Sequence, residues 1–339
     1  MAPSLMQRVE NGKILTRAEA EETMEEILSG RVPTSEIVGL LRGMNARPVE
    51  SQELAGFATV MRRHAARVFA EEALRPGHLL DTCGTGGDGC DTFNISTAAA
   101  IVAAAAGVHV AKHGNRAASS RCGSADVLEA LGVRVNLPLE RCGQAIREIG
   151  LGFLFAPAAH SATRHAIPAR KEIGVRTAFN LLGPLTNPAG AHSQLVGVYS
   201  KNVLDLMAAT LAELGTQRAF VVHGDDGLDE ISLSGATQIA EVRDGQIRRF
   251  TLTPEDFDLP RAPLEVLRGG SAAENAAAIH GVLENHPGAH RDITVINAAA
   301  ALVVSGIARD FREGARIAAG AIASRAAKEK LAALVAFTN

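Results

Sequence analysis

The segment Asp81-Thr82-Cys83-Gly84-Thr85-Gly86-Gly87-Asp88-Gly89 constrains this chain more than any other. A short apolar run, His78–Asp81, leads into it, and Phe93-Asn94-Ile95-Ser96-Thr97 opens an alanine-rich helix behind it. Glycines at 84, 86, 87 and 89 let the backbone turn N–H groups toward one point, which is how a chain cradles phosphate oxygens. Asn94, Ser96 and Thr97 add side-chain donors at a helix N-terminus, where the dipole favours an anion. Read alone, such a loop is first of all a tight structural turn with an Asn or Ser cap. It lacks the Gly-Lys-Ser/Thr ending of a Walker loop, and its spacing fails the G-x-G-x-x-G dinucleotide pattern.

A strand, a glycine loop and a helix in succession form half of a βαβ unit, and the pattern continues after Pro76. Candidate strands are His78–Asp81, Val108–Lys112, Gly152–Ala156, Leu195–Tyr199 and Ala219–His223. Candidate helices are Thr97–Ala106, Ala125–Leu131, Leu139–Ile149, Val203–Leu214, Ala272–Glu284, Asn297–Val304 and a last one over Phe311–Val335. Strands alternating with helices predict a mostly parallel sheet covered on both faces. Ile239–Arg249, with Asp244-Gly245 in its middle, predicts a hairpin that is an insertion or an edge feature. Before Pro76 only helices are expected. Thr16 and Glu19 make a capping-box pair ahead of Met24, Ile27 and Leu28, and further helices fit Ser35–Met44 and Ser51–Val68. The expected fold class is therefore α/β, with a small all-helical N-terminal domain over residues 1–75. A large α/β domain with a mostly parallel central sheet is expected over 76–339.

Charge and cysteine usage narrow the function. Over 339 residues the formal net charge is −3, which is not the footprint of a protein that lives on nucleic acid. Cys83, Cys90, Cys122 and Cys142 form no C-x-x-C pair, so lone thiols in a reducing compartment are expected. The first twelve residues hold no continuous apolar stretch, so no signal peptide is visible. The apolar run Ala98–Val108 is about half of the roughly 20 residues that span a bilayer. A soluble, cytoplasmic protein with no membrane partner is expected.

Three further segments carry chemistry. Lys112-His113-Gly114-Asn115-Arg116-Ala117-Ala118-Ser119-Ser120 puts two cations, an amide and two hydroxyls around a glycine, and Gly123-Ser124-Ala125-Asp126 opens the next helix. Lys112 is a point charge suited to phosphate and Arg116 a bidentate fork. Two such loops at the ends of successive strands share one crevice in an open α/β sheet. His223-Gly224-Asp225-Asp226-Gly227-Leu228-Asp229-Glu230 follows a strand, and carboxylates there suit Mg²⁺ bound through substrate phosphates. Asp229 and Glu230 would point to opposite faces of a regular strand, so both reach one diphosphate only if the chain turns, as Gly227 allows. Finally, His160, Arg164, His165, Arg170, Lys171 and Arg176 precede the run Phe179–Pro188. Basic groups there could receive a carboxylate; for most of them a solvated helix face is the simpler reading.

In this order, these segments resemble the anthranilate phosphoribosyltransferase family of tryptophan biosynthesis. The matching pieces are Gly84-Thr85-Gly86-Gly87-Asp88, Asn94-Ile95-Ser96-Thr97, Lys112 to Arg116, Gly123 to Asp126, Asp229-Glu230 and the Asn180–Pro188 run. The resemblance implies transfer of phosphoribose from 5-phosphoribosyl 1-diphosphate to the amino group of anthranilate. It implies that the donor is held by Gly84, Gly87, Asp88, Thr92, Asn94, Ile95, Ser96, Thr97, Lys112, His113, Gly114, Asn115, Arg116, Ala117, Ala118, Ser119, Ser120 and Ser124. By the same resemblance Ser96, Asp229 and Glu230 hold Mg²⁺, and Gly84, Asn115 and Arg170 hold anthranilate, Arg170 at its carboxylate. It further implies a homodimer formed through the helical domain, and a return of the chain to that domain near 167–182. His113 is the one candidate for a catalytic side chain, and its place in the motif fits a loop-shaping role equally well. No general base is assigned, because an aromatic amine is already unprotonated at neutral pH.

The chain departs from the family at His160-Ser161-Ala162-Thr163-Arg164-His165, where His-Pro-Ala-Met-Lys-His is expected. Both end histidines and a central cation remain, so the departure concerns the acceptor side. Two other readings compete. A pyrimidine nucleoside phosphorylase shares the architecture and a glycine-rich loop, but its second basic segment differs, and the adjacent acids favour a metal-diphosphate donor over inorganic phosphate. A non-catalytic nucleic-acid-binding relative would be basic and lack part of the acidic pair.

Overall fold

The computed structural model describes residues 4–117 and 120–339. Four helices come first: α1 (Leu5–Glu10), α2 (Arg17–Leu28), α3 (Thr34–Asn45) and α4 (Ser51–His64). The Thr16–Glu19 capping box forms in both directions at the start of α2. The last of these helices is shorter than its apolar pattern predicts. It stops at His64 because Ala65 turns extended and Ala66 N donates to the Ala159 carbonyl (2.9 Å), which carries the chain across to the sheet.

Then follow β1 (Leu80–Gly84), α5 (Ile95–Ala105), β2 (Val110–Gly114), α6 (Ser124–Ala130), α7 (Leu139–Ile149) and β3 (Leu151–Phe155). Short helices α8 (Ala156–Ala159), α9 (Ile167–Ile173) and α10 (Leu182–Leu185) lead to β4 (Ser193–Gly197), α11 (Leu204–Glu213) and β5 (Arg218–Gly224). The hairpin is β6 (Thr237–Arg243) and β7 (Gln246–Leu252), turned by Asp244 and Gly245 at φ 50° and 77°. The chain ends in α12 (Ala272–Leu283), α13 (Ala289–Val304), α14 (Phe311–Ala323) and α15 (Ala326–Thr338).

The strand order is β3-β2-β1-β4-β5-β6-β7, parallel as far as β5 and antiparallel at the hairpin edge. Successive side chains of a strand face opposite ways, so a sheet covered on both sides feeds two cores. Phe220 and Val222 of β5 join a core with α5, α13, α14 and α15; Ala219 and Val221 join another with α2, α3, α4 and α11. Ala166, Ala169, Ala178, Phe179 and Leu181 enter the second core beside the N-terminal helices.

The run Phe311–Val335 reads as one helix but is two. Arg325 takes φ 69° and breaks it, so that Ala318 and Ile322 on one side and Leu331 and Leu334 on the other reach the same core. A straight helix of that length would run roughly 37 Å and leave one end unpacked. Among the described residues, no helix is long and apolar enough to cross a membrane.

One buried ion pair organises the helical start. Glu53 of α4 is fully buried, accepts from Leu15 N (3.0 Å) and Glu50 N (3.0 Å), and takes both Arg47 Nη atoms (2.6 and 2.8 Å). Removing one partner leaves a buried charge alone. Glu53→Ala is therefore expected to cost about 3–5 kcal/mol, read as a lower urea midpoint. An unchanged midpoint would show that the pair contributes nothing to stability.

Candidate active site

Strand order reverses between β1 and β4, and in an open α/β sheet the crevice outside the strand C-termini at such a point receives ligands. The two strands end side by side, Gly84 opposite Gly197. The glycine-rich loop leaves from Gly84, with Gly86, Gly87 and Gly89 at φ 64°, 77° and 78°, the left-handed region that residues with a side chain avoid. Its far end is held by pairing: Phe93 N donates to Leu267 O (3.1 Å) and Gly269 N to Asp91 O (2.8 Å), with Thr92 bridged to Arg268.

The acidic segment comes to this loop. Gly227 at φ 95° turns the chain after β5, so Asp229 and Glu230 lie outside any strand, Asp229 against the loop and Glu230 toward the start of α5. A Cβ placed on Gly84 would lie 3.0 Å from Asp229 Oδ2. Asp229 N faces Asp88 Oδ2 at 3.4 Å, and Lys112 and the Ser96 amide partly offset the burial of Glu230. Removal from water raises both acids well above the usual carboxylate range; Asp88 adds to the shift at Asp229, and Asp229 to that at Glu230. Mutually repelling carboxylates of this kind fit a cation. Among the described residues no group of three or more His, Cys, Asp or Glu side chains is placed to hold a metal ion by itself. Mg²⁺ is commonly held by one or two carboxylates together with substrate phosphates, and the Asp229–Glu230 pair fits that mode.

Behind the loop, buried Lys112 donates to the Thr82 carbonyl (2.5 Å) and to Ser96 Oγ (3.3 Å). Ile95 and Thr97 are buried, so Ile95 turns its side chain to the core and offers only backbone. Asn94 does not cap its own helix. It donates to Cys122 O (3.1 Å) and accepts from Asn275 Nδ2 (2.9 Å), which ties the two loops together.

In the second loop a Cβ on Gly114 would lie 2.2 Å from Ser124 Oγ and 2.8 Å from the Phe153 ring, so those side chains would have to move to admit one. Asn115 accepts from Ser124 Oγ (3.3 Å) and Ala125 N (3.2 Å) through its carbonyl. Arg116 is turned to Glu129 (2.6 and 2.8 Å) and Asp126 (3.1 Å), and Ala117 N donates to Asp126 (2.9 Å). Ser120 Oγ lies 3.5 Å from Cys122 O. Ala118 and Ser119 fall outside the described residues.

His113 is buried, with Nδ1 3.2 Å from Gly183 O and its ring edge-on to His160 at 5.3 Å. Burial, helped by the neighbouring His160, drives its pKa down to about 3, so the ring is neutral at physiological pH. Arg170 lies on α9, away from both loops in sequence, and burial lowers its pKa.

Two supporting residues have weak sequence signals. Asn297 is fully buried in α13 and pairs with the Ile231 backbone, accepting from N (2.9 Å) and donating to O (3.0 Å), next to Glu230. A lone amide in the apolar run Ile293–Val304 was its signal. Gly197 lies against Asp229, and nothing local in its strand points to that.

Similarity to known proteins follows the same plan. The glycosyl transferase family helical bundle domain matches residues 3–65, and the glycosyl transferase family a/b domain matches 76–328. Anthranilate phosphoribosyltransferase of Solibacter usitatus is 51% identical over 337 residues, covering 99% of this chain and 98% of that one. The Nitrosomonas eutropha enzyme of the same name is 49% identical over 321 residues, 95% of this chain and 93% of its own. The crystal structure of anthranilate phosphoribosyltransferase from Thermus thermophilus superposes with a TM-score of 0.92 at 45% identity, covering 99% of each chain. The Saccharomyces cerevisiae enzyme in complex with PRPP and Mg gives 0.86 at 27% identity, over 96% of this chain and 93% of that one. A glycine-rich loop and a paired acidic turn at the switch point, together with these full-length matches, place this chain in the anthranilate phosphoribosyltransferase family.

Proposed function

We propose that this chain transfers the phosphoribosyl group of 5-phosphoribosyl 1-diphosphate to the amino group of anthranilate, releasing diphosphate. The observation that carries the proposal is the meeting of Asp229 and Glu230 with Gly84 and Ser96, which puts an acidic pair against a loop built for phosphate. The donor lies along the two glycine loops, from Gly84 to Thr97 and from Lys112 to Ser124. Asp229, Glu230 and Ser96 would hold Mg²⁺. Gly84, Asn115 and Arg170 hold anthranilate, Arg170 at its carboxylate.

The reaction breaks the C1–O bond of the ribose, and the electron pair leaves with diphosphate. Magnesium, when bound, supplies positive charge that the leaving group needs. The chain's own amides at the glycine loop and at the α5 N-terminus meet the same charge without reorganising, and such preorganised dipoles are a large part of many rate enhancements. Lys112, fixed on Thr82 and Ser96, adds a cation behind the loop. The anthranilate nitrogen attacks C1 with its own lone pair and afterwards gives up its proton to water. His113 is neutral and turned to Gly183 O, which suits shaping of the loop rather than proton transfer. Much of the rate comes from holding donor and acceptor in line.

The same reading includes a helical unit over 1–75 joined by a return segment near 167–182, with the α/β unit over the rest. The core shared by α2, α3 and α4 with Ala169 and Phe179 supports it. A homodimer and a cytoplasmic location belong to the same reading.

Anthranilate fluorescence is expected to fall when enzyme, 5-phosphoribosyl 1-diphosphate and Mg²⁺ are combined, and to stay constant in EDTA. No fall with folded protein would favour a nucleoside phosphorylase, tested with nucleoside and phosphate.

A further inference from the structure

We propose that Arg176 is a positioning residue for the transfer reaction, clamping the glycine-rich loop onto the segment that carries Arg170. The proposal rests on the donor-loop reading above. Arg176 is one of the basic residues that this reading leaves without a role. It follows α9 after a left-handed turn at Gly174 (φ 66°). Its Nη2 donates to the Gly87 carbonyl, and its guanidinium carbon sits 4.2 Å from the Tyr199 ring centre. Both partners are neutral, so this cation is spent on geometry.

Each contact is anchored in turn. Tyr199 N donates to Thr85 Oγ1 (3.1 Å), and Thr85 N donates to Gly197 O (2.9 Å). The ring beneath the guanidinium is thus tied to the same loop whose carbonyl the guanidinium holds. From the other side Asn45 Nδ2 of α3 donates to Arg176 O (2.8 Å). A Cβ on Gly87 would come to 3.1 Å from Nη2, tighter than an ordinary contact. Peptide units are planar and trans. Fixing the Gly87 oxygen therefore fixes the direction of Asp88 N–H, one of the amides an anion on this loop can use. Arg suits the task better than Lys because its flat fork can lie on a ring and donate in its plane at once.

The test uses the full chain with Mg²⁺ and compares Arg176→Ala with Arg176→Lys. Arg176→Ala is expected to raise KM for 5-phosphoribosyl 1-diphosphate about tenfold, as loss of a charge-assisted hydrogen bond would, with kcat changed less and an unchanged melting temperature. Arg176→Lys is expected to recover part of the KM. A second readout needs no turnover. The chain has one tyrosine and no tryptophan, so intrinsic emission reports on Tyr199 alone. Donor titrations should give a half-point for Arg176→Ala shifted upward by the same factor. If Arg176→Ala does not fold, Arg176→Gln, which keeps an amide donor, decides by the same measurements. A donor KM and half-point within twofold of the parent overturn the proposal. If the parent chain leaves anthranilate untouched, the transferase reading falls, and the tyrosine titration alone judges Arg176. A parent that does not respond to the donor at all overturns both.

Discussion

The double variant Asp229→Asn, Glu230→Gln is expected to lose at least about a thousandfold in turnover at millimolar Mg²⁺ while keeping its fold. On the proposed reading the pair holds the Mg²⁺ that offsets the leaving diphosphate's charge, and loss of one preorganised electrostatic contact commonly costs about 10²–10³ in rate. The fold should not suffer, because the ionised acids work against it. Both carboxyl groups are raised by removal from water and by like charge, so the ionised pair costs folding energy that neutral amides of the same shape do not. Melting temperature without Mg²⁺ should therefore stay equal or rise. In the parent, Mg²⁺ should raise the melting temperature; in the variant it should not, since stabilisation by a ligand requires preferential binding to the native state. A variant that unfolds would make the pair structural, and a variant within tenfold of parent turnover would remove it from the reaction.

How much of this was legible follows from how local each feature is. The capping box at Thr16 and Glu19 and the turn at Asp244-Gly245 involve residues within four positions of each other, and both stand where their patterns place them. The glycine-rich loop was legible because its need for left-handed backbone is written into residues 86, 87 and 89 themselves. The break at Arg325 was not: an alanine-rich run has no local reason to stop, and the reason lies in the core that two shorter helices can both reach. Asn94 shows the limit inside the site. Its position before α5 reads as a cap, yet its amide is used across 28 residues on Cys122 and across 181 on Asn275. Arg176 reads as one basic residue among several, and only the fold brings Gly87 and Tyr199 to it.

Gly197 makes the same point. It closes β4 as an ordinary glycine after Leu195 and Val196, with no motif around it. In the fold it pairs with Gly84 at the switch point, and the backbone of the acidic segment runs directly over it. A Cβ on Gly197 would lie 1.6 Å from Asp229 O and 2.7 Å from its carbonyl carbon. Backbone on both sides leaves no flexible side chain to swing away, so Gly197→Ala must push residue 229 by more than an ångström or separate β4 from β1. A displacement of that size at a reacting centre can cost about a hundredfold, so kcat/KM should fall at least that far. Overpacking should add a stability loss of about 1–3 kcal/mol. Gly320→Ala is the control: that glycine lies in α14 with nothing within 4 Å of a Cβ, and alanine there should stabilise by about 0.5–1 kcal/mol without touching turnover. Equal kinetics in the two variants would mean that the acidic segment tolerates the shift, and that the closeness of Gly197 to Asp229 sets packing rather than chemistry.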